Sequence, residues 1–120
     1  MTIRDFYTEV GGSYDEVMGR MMTEKRICKY LVKFLSVEDY DILMRTVAEQ
    51  NWTDAFRAVH NLKGVSLNLG LGRLAAASGD LCEEIRHGAP ARDITGMVEA
   101  VTVEYQSARK AIEALQPEMI

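Results

Sequence analysis

Apolar residues recur three and four positions apart along almost the whole chain, with few residues to interrupt them. That spacing is the signature of amphipathic helices. Only two prolines occur, Pro90 and Pro117, so little punctuation exists for short strands and tight turns. The breaks that do occur divide the chain into consecutive helices. Ile3, Phe6, Tyr7 and Val10 form a first apolar stripe that stops at Gly11-Gly12. Ser13 and Glu16 have capping-box spacing ahead of Tyr14, Val17, Met18 and Met21. Met18, Met21 and Met22 read as core filling, since Met packs irregular gaps. Thr23 is placed to cap a helix bearing Ile27, Tyr30, Leu31, Phe34 and Leu35, and Ser36 to cap one bearing Tyr40, Leu43, Met44 and Val47.

Asn51 starts the next helix, which runs to Gly70, where glycine is the expected stop. Another spans Leu71 to Arg86, with Leu74, Ser78, Leu81 and Ile85 inward, ending at His87-Gly88. The last runs from about Asp93 to Leu115 on the stripe Ile94, Met97, Val98, Val101, Tyr105, Ala108, Ile112 and Leu115. Short connections make neighbouring helices antiparallel. The expected fold is all-α: an antiparallel up-and-down four-helix bundle with short N-terminal capping helices. A chain of 120 residues has the length of a single domain, here residues 1–120.

The charges exclude some partners. Fourteen cations against eighteen carboxylates give −4, which disfavours nucleic acid. No run approaches the ~18 apolar residues of a membrane span, and MTIRDFYTEVGG lacks the apolar core of a secretory signal. Cys28 and Cys82 show neither CxxC nor zinc spacing, as expected of reduced thiols in a cytoplasmic protein.

One segment does not fit a passive bundle: TDAFRAVHNLKGVSLNLGL, from Thr53 to Leu71. At about 100° per residue, its inner stripe of Ala55, Val59, Leu62, Ser66 and Leu69 centres about 150° from His60. His60 therefore points outward, with Lys63 and Gly64 to either side within roughly 60°. Separately each is ordinary: a surface histidine, a solvated lysine, a small residue. The glycine weakens that reading. It costs about 1 kcal/mol relative to alanine inside a helix and faces solvent, where no packing demands it. It is useful if something bulky approaches His60.

A neutral imidazole, with an unperturbed pKa of about 6.5, is a good nucleophile near neutral pH. Phosphorylated, it would carry charge that Lys63 at i+3 can reach and a bulk that Gly64 at i+4 leaves room for. Phe56 and Leu67, at about −40° and −20° from His60, make a patch suited to docking a partner protein. The alternative for Phe56 is burial beneath the adjacent helix. Arg57 and Asn68, at about 60° and 80°, flank the site as further phosphate-stabilising candidates.

His60-Asn61-Leu62-Lys63-Gly64, followed by Asn68-Leu69-Gly70, resembles the H-x-L-K-G…L-G signature of histidine-containing phosphotransfer (HPt) domains. The likeness extends from about Tyr14 to Leu115 and includes Asn51-Trp52-Thr53-Asp54-Ala55-Phe56-Arg57 and the Leu71 to Arg86 helix. It implies that His60 is the phosphoacceptor, through its outer ring nitrogen, that Lys63 stabilises the phosphate and that Gly64 gives access. Donor and acceptor would be receiver domains of response regulators or hybrid histidine kinases, each with a phosphorylatable aspartate. The receiver would bring Mg²⁺ and most catalytic groups. The chain itself would need no cofactor or metal and would act as a monomeric, stoichiometric intermediate rather than an enzyme. A partner helix turning at Gly70 would bring Ser78, Gly79 and Cys82 level with His60, and Cys82 is a poor substitute for the polar side chain that supports the phosphate in some members. His87 reads as a helix C-terminal cap.

Three other readings compete. One is a non-catalytic helical adaptor that binds a partner through the surface around His60. A second is an enzyme or metal site, which the spacing of His60 and His87 opposes. The third is the phosphoacceptor domain of a chemotaxis-type kinase, for which the sequence carries no Gly-rich phosphate loop.

Overall fold

Side-chain caps and glycines set the helix boundaries. The computed structural model describes residues 1–117. Among them are seven helices and no strand: α1 (Ile3–Val10), α2 (Tyr14–Met21), α3 (Glu24–Phe34), α4 (Asp39–Ala48), α5 (Trp52–Leu69), α6 (Gly72–Glu84) and α7 (Thr95–Leu115). Hydroxyls of Ser13 and Thr23 accept from the backbone N–H groups of Glu16 and Arg26, and the Asn51 side chain accepts from Asp54. Each satisfies a donor that the first helical turn leaves without a partner.

Three local expectations need correction. The reciprocal capping box belongs to Thr2 and Asp5 at α1, whereas Ser13 makes only one half of one. Ser36 does not cap α4. Its N–H donates to the Lys33 carbonyl in a tight turn that finishes α3, and α4 begins three residues later behind Glu38 without a side-chain cap. Met22 is no core residue: it takes a left-handed conformation at the end of α2 and is 69% exposed, while Met18 and Met21 pack against the core. α6 starts one residue later and ends two residues earlier than expected, at Gly72 and Glu84, and α7 starts two residues later, at Thr95, while its end at Leu115 is as expected. Asp93 stays outside α7 because its carboxylate accepts from the backbone and hydroxyl of Thr95.

The last four helices, α4 to α7, make the bundle. α5 packs between α4 and α6, and α6 against α7. The ring closes where Tyr40 of α4 stacks on Tyr105 of α7, with centroids 4.1 Å apart, and the Tyr40 hydroxyl meets Thr102 Oγ1 at 2.8 Å. The inward stripes are those expected, including Ala55, Val59, Leu62, Ser66 and Leu69 of α5, all buried. α1 lays Ile3, Phe6, Tyr7 and Val10 into the same core, against α6 and α7.

The N-terminal helices do more than cover an end. The last carbonyls of a helix have no partner within it. At the end of α5 the Ser66 carbonyl accepts from Leu71, Leu67 and Asn68 accept from the Arg20 guanidinium at 3.0 Å, and Leu69 accepts from the buried Tyr7 hydroxyl at 2.9 Å. Gly70 turns the chain at φ 72°, a left-handed conformation that favours glycine. A Cβ there would stand 2.5 Å from Val17 Cγ2 and 2.8 Å from Tyr7 Cε1. The α1–α2 turn presses on the α5–α6 turn so closely that a Cβ on Gly12 would strike the Gly70 carbonyl, and one on Gly72 the Gly11 carbonyl.

Candidate functional site

α5 is the helix that carries the site, and its eighteen residues are fixed on both flanks and at both ends. With its inner stripe buried, His60 falls on the outer ridge and is exposed. The flanking helices divide its neighbours. Lys63 leans to the α6 side, where its Cδ and Cε lie 3.8 and 3.7 Å from where a Gly79 Cβ would stand. Asn61 faces α4, where its side chain opposes the rise that burial produces in the Asp39 pKa. Gly64 is exposed, and nothing lies within 4 Å of a Cβ built on it. The folded chain therefore has no steric need of glycine there, and a bare strip of backbone lies one turn beyond the imidazole.

The two apolar residues differ. Leu67 is 54% exposed. Phe56 is half-buried and meets both expectations in part: one side packs against the core, while the ring lies 5.8 Å from the His60 ring, tilted by 56°. Arg57 and Asn68 are exposed, but their contacts lead away from His60. Arg57 pairs with Asp54 at 3.1 Å, one turn toward the N-terminus, and Asn68 lines a separate cleft on the α2–α3 side.

Of the α6 residues expected level with His60, Ser78 and Cys82 are buried. Burial pushes the Cys82 thiol pKa up, so it presents neither a charge nor an accessible donor. Gly79 instead gives the Lys63 stem a flat place to lie. His87 is exposed beyond the end of α6, whose cap residue is Ile85, and its side chain makes no hydrogen bond among the described residues.

The residue missed in the sequence is Arg86, in the turn just beyond the end of α6. Its guanidinium carbon lies 5.6 Å from the centroid of Phe56, a cation–π distance, and it bonds to Glu83, whose carboxyl it holds below the ordinary range. Lys63 and Arg86 thus form a cationic flank on one side of the histidine ridge, with Phe56 between Arg86 and His60. Neither helix's periodicity signals this, because the pairing depends on the packed register of the two antiparallel helices on either side of the turn at Gly70.

The helical bundle thus holds the His60 imidazole exposed on its side, with Lys63 and Arg86 to one side and the open backbone of Gly64 one turn on. A family model of the Hpt domain matches residues 34–116. The chain belongs to that family, whose members carry out histidine phosphotransfer in phosphorelays and interact with receiver domains. No curated protein and no solved structure gives a significant match to the chain. No described helix is long and apolar enough to cross a membrane.

Proposed function

We propose that His60 is the phosphoacceptor, taking a phosphoryl group from the aspartate of one receiver and delivering it to the aspartate of another. The exposure of His60 beside the open backbone at Gly64 carries this reading. In the forward step the lone pair of the outer ring nitrogen attacks phosphorus, and the acyl-phosphate P–O bond breaks. The electron pair returns to the aspartate as a carboxylate. The second step reverses these bonds on the other receiver. The chain is restored after each passage, so it is a stoichiometric carrier, and the receiver supplies the Mg²⁺.

Each neighbour has a role derived from its place. The Lys63 ammonium neutralises the phosphoryl oxygens, a charge-assisted contact that also lengthens the life of the phosphohistidine. Gly64 lets the receiver's phosphate-bearing loop approach without meeting a side chain. Leu67 and the outer edge of Phe56 supply apolar docking area, and Arg86 adds positive charge at its rim. His60, Lys63 and Gly64 form the centre of the site, and Arg57 and Asn68 stand outside it.

The test is incubation with a receiver charged by acetyl phosphate, followed by mass spectrometry of the peptide containing His60. The expected result is an acid-labile phosphate on His60 in the wild type and none in His60→Gln, with both proteins equally folded. Equal labelling of His60→Gln overturns the assignment. Receiver binding with no transfer would favour the adaptor reading.

A further inference from the structure

On the other flank of α5, away from Lys63, lies a cleft of about 460 Å³ between α5 and the α2–α3 pair. Its floor is apolar: Met21, Phe34, Val37, Val65 and Leu69. Around it stand Arg20, Arg26 and Lys33, with Tyr30 and Asn68, and no carboxylate is among its lining residues. This is an unusual composition for a chain of net charge −4. The basic character comes chiefly from α3, which carries Lys25, Arg26, Lys29 and Lys33 against the single acid Glu24.

Two features separate this cleft from an ordinary solvated basic face. First, Arg26, Tyr30, Lys33, Phe34 and Val37 recur at helical spacing, so the cations and the apolar floor belong to one concave stripe. Secondly, its cations lack acidic partners. Among the described residues neither Arg26 nor Lys33 is in a salt bridge, and Arg20 donates to the Leu67 and Asn68 carbonyls, which leaves its charge uncompensated. The Lys33 ammonium lies 5.5 Å from the centroid of Tyr30, a ring 37% exposed at the rim. Like charges gathered over an apolar floor repel one another and focus a positive potential into the cleft. The volume falls within the about 300–1,000 Å³ of small-molecule sites, which combine an apolar lining with a few convergent polar groups.

We propose that this cleft binds a small amphipathic anion: an aromatic or alkyl body against Tyr30, Val37 and Val65, with a carboxylate or phosphate held by Arg26 and Lys33. The proposal is independent of phosphotransfer, since Val65 and Asn68 lie on the flank of α5 opposite Lys63. Arg20 gives the site a position in the fold, because the same guanidinium holds the C-terminal carbonyls of α5.

The probe is 8-anilinonaphthalene-1-sulfonate, titrated by fluorescence, with neutral N-phenyl-1-naphthylamine as its uncharged counterpart. The full chain should bind the sulfonate saturably at one site, and the neutral compound at least tenfold more weakly. Amide chemical-shift changes should gather at Tyr30, Phe34, Val65 and Asn68. Arg26→Glu combined with Lys33→Glu, both exposed positions, should weaken sulfonate binding at least tenfold without lowering the melting temperature. Tyr30→Ala serves as a second variant with the charges intact and should weaken both compounds. Equal binding of the two compounds, undiminished binding by the double variant, or shifts centred on Phe56 and His60 would each overturn the proposal. Co-sedimentation with phosphatidylglycerol vesicles, lost in the double variant, would assign the charge to a membrane surface and overturn it as well.

Discussion

At the scale of the residue, Gly64 sets stability against access. It sits inside a helix, exposed, with open space where its Cβ would be. Gly64→Ala should therefore raise stability by about 0.5–1 kcal/mol, through helix propensity and a less flexible unfolded chain. If a receiver must approach over this residue, the same variant should transfer phosphate more slowly. Denaturant melts and transfer kinetics on one preparation test both halves, and a variant that is stabilised with unchanged transfer removes Gly64 from the site. Lys63→Ala differs. Its stem rests on Gly79 without an ion pair among the described residues, so stability should change by no more than about 0.5 kcal/mol. The phosphohistidine should lose its label faster, and an unchanged half-life would take the lysine out of the site. Both positions were readable from a helical wheel because they depend on one helix only. Arg86 was not, since its relation to Phe56 depends on how far α6 is rotated and shifted against α5, which neither helix's periodicity fixes. For the same reason the burial of Cys82 becomes visible only in the packed pair.

At the scale of the element, the end of α5 shows where local reasoning stops. Gly70 reads as a helix stop in the sequence, and its φ of 72° agrees. The structure adds a second demand: Tyr7 and Val17 occupy the space a side chain would need. Gly70→Ala therefore combines backbone strain of about 1–3 kcal/mol with overpacking of similar size. It should destabilise the chain by more than about 2 kcal/mol, well above the roughly 1 kcal/mol span of a simple propensity change. Tyr7→Phe isolates the polar part. It keeps the ring, removes the donor and leaves the buried Leu69 carbonyl unmatched, at a cost of about 1–3 kcal/mol. Urea midpoints of the two variants measure both effects, and a Tyr7→Phe chain as stable as the wild type would show that the carbonyl finds another partner. Ser36 illustrates the opposite failure. Its chemistry suits a cap, but Ser36 lies inside the tight turn that finishes α3, and α4 starts only at Asp39, where the chain has cleared that turn.

At the scale of the whole molecule, the question is whether α1, α2 and α3 are attachments to the family bundle or part of its core. The Hpt match begins at residue 34, so nearly all of these helices precede it. The packing makes them integral. α1 buries Phe6 completely, and its ring meets Tyr7 edge-on at a centroid distance of 5.0 Å. Tyr7 in turn holds Leu69, and Arg20 holds Leu67 and Asn68, so the C-terminal end of the histidine helix is anchored by residues outside the family match. Phe6→Ala should then cost about 3–5 kcal/mol, as expected for an aromatic removed from a close-packed interior, and lower the melting temperature by about 10 °C or more. An appended helix would instead come loose alone, leaving the main transition unmoved and α1 amides exchanging rapidly with solvent. Thermal melts with amide exchange read on α1 and on α5 separate the two outcomes. If α1 belongs to the core, protection in α5 falls together with protection in α1, because one cooperative unit carries both. Transfer to His60, measured well below the new melting temperature, should still proceed. The imidazole stands on the outer ridge, two turns and more from the end that α1 secures, and needs only a folded α5 beneath it.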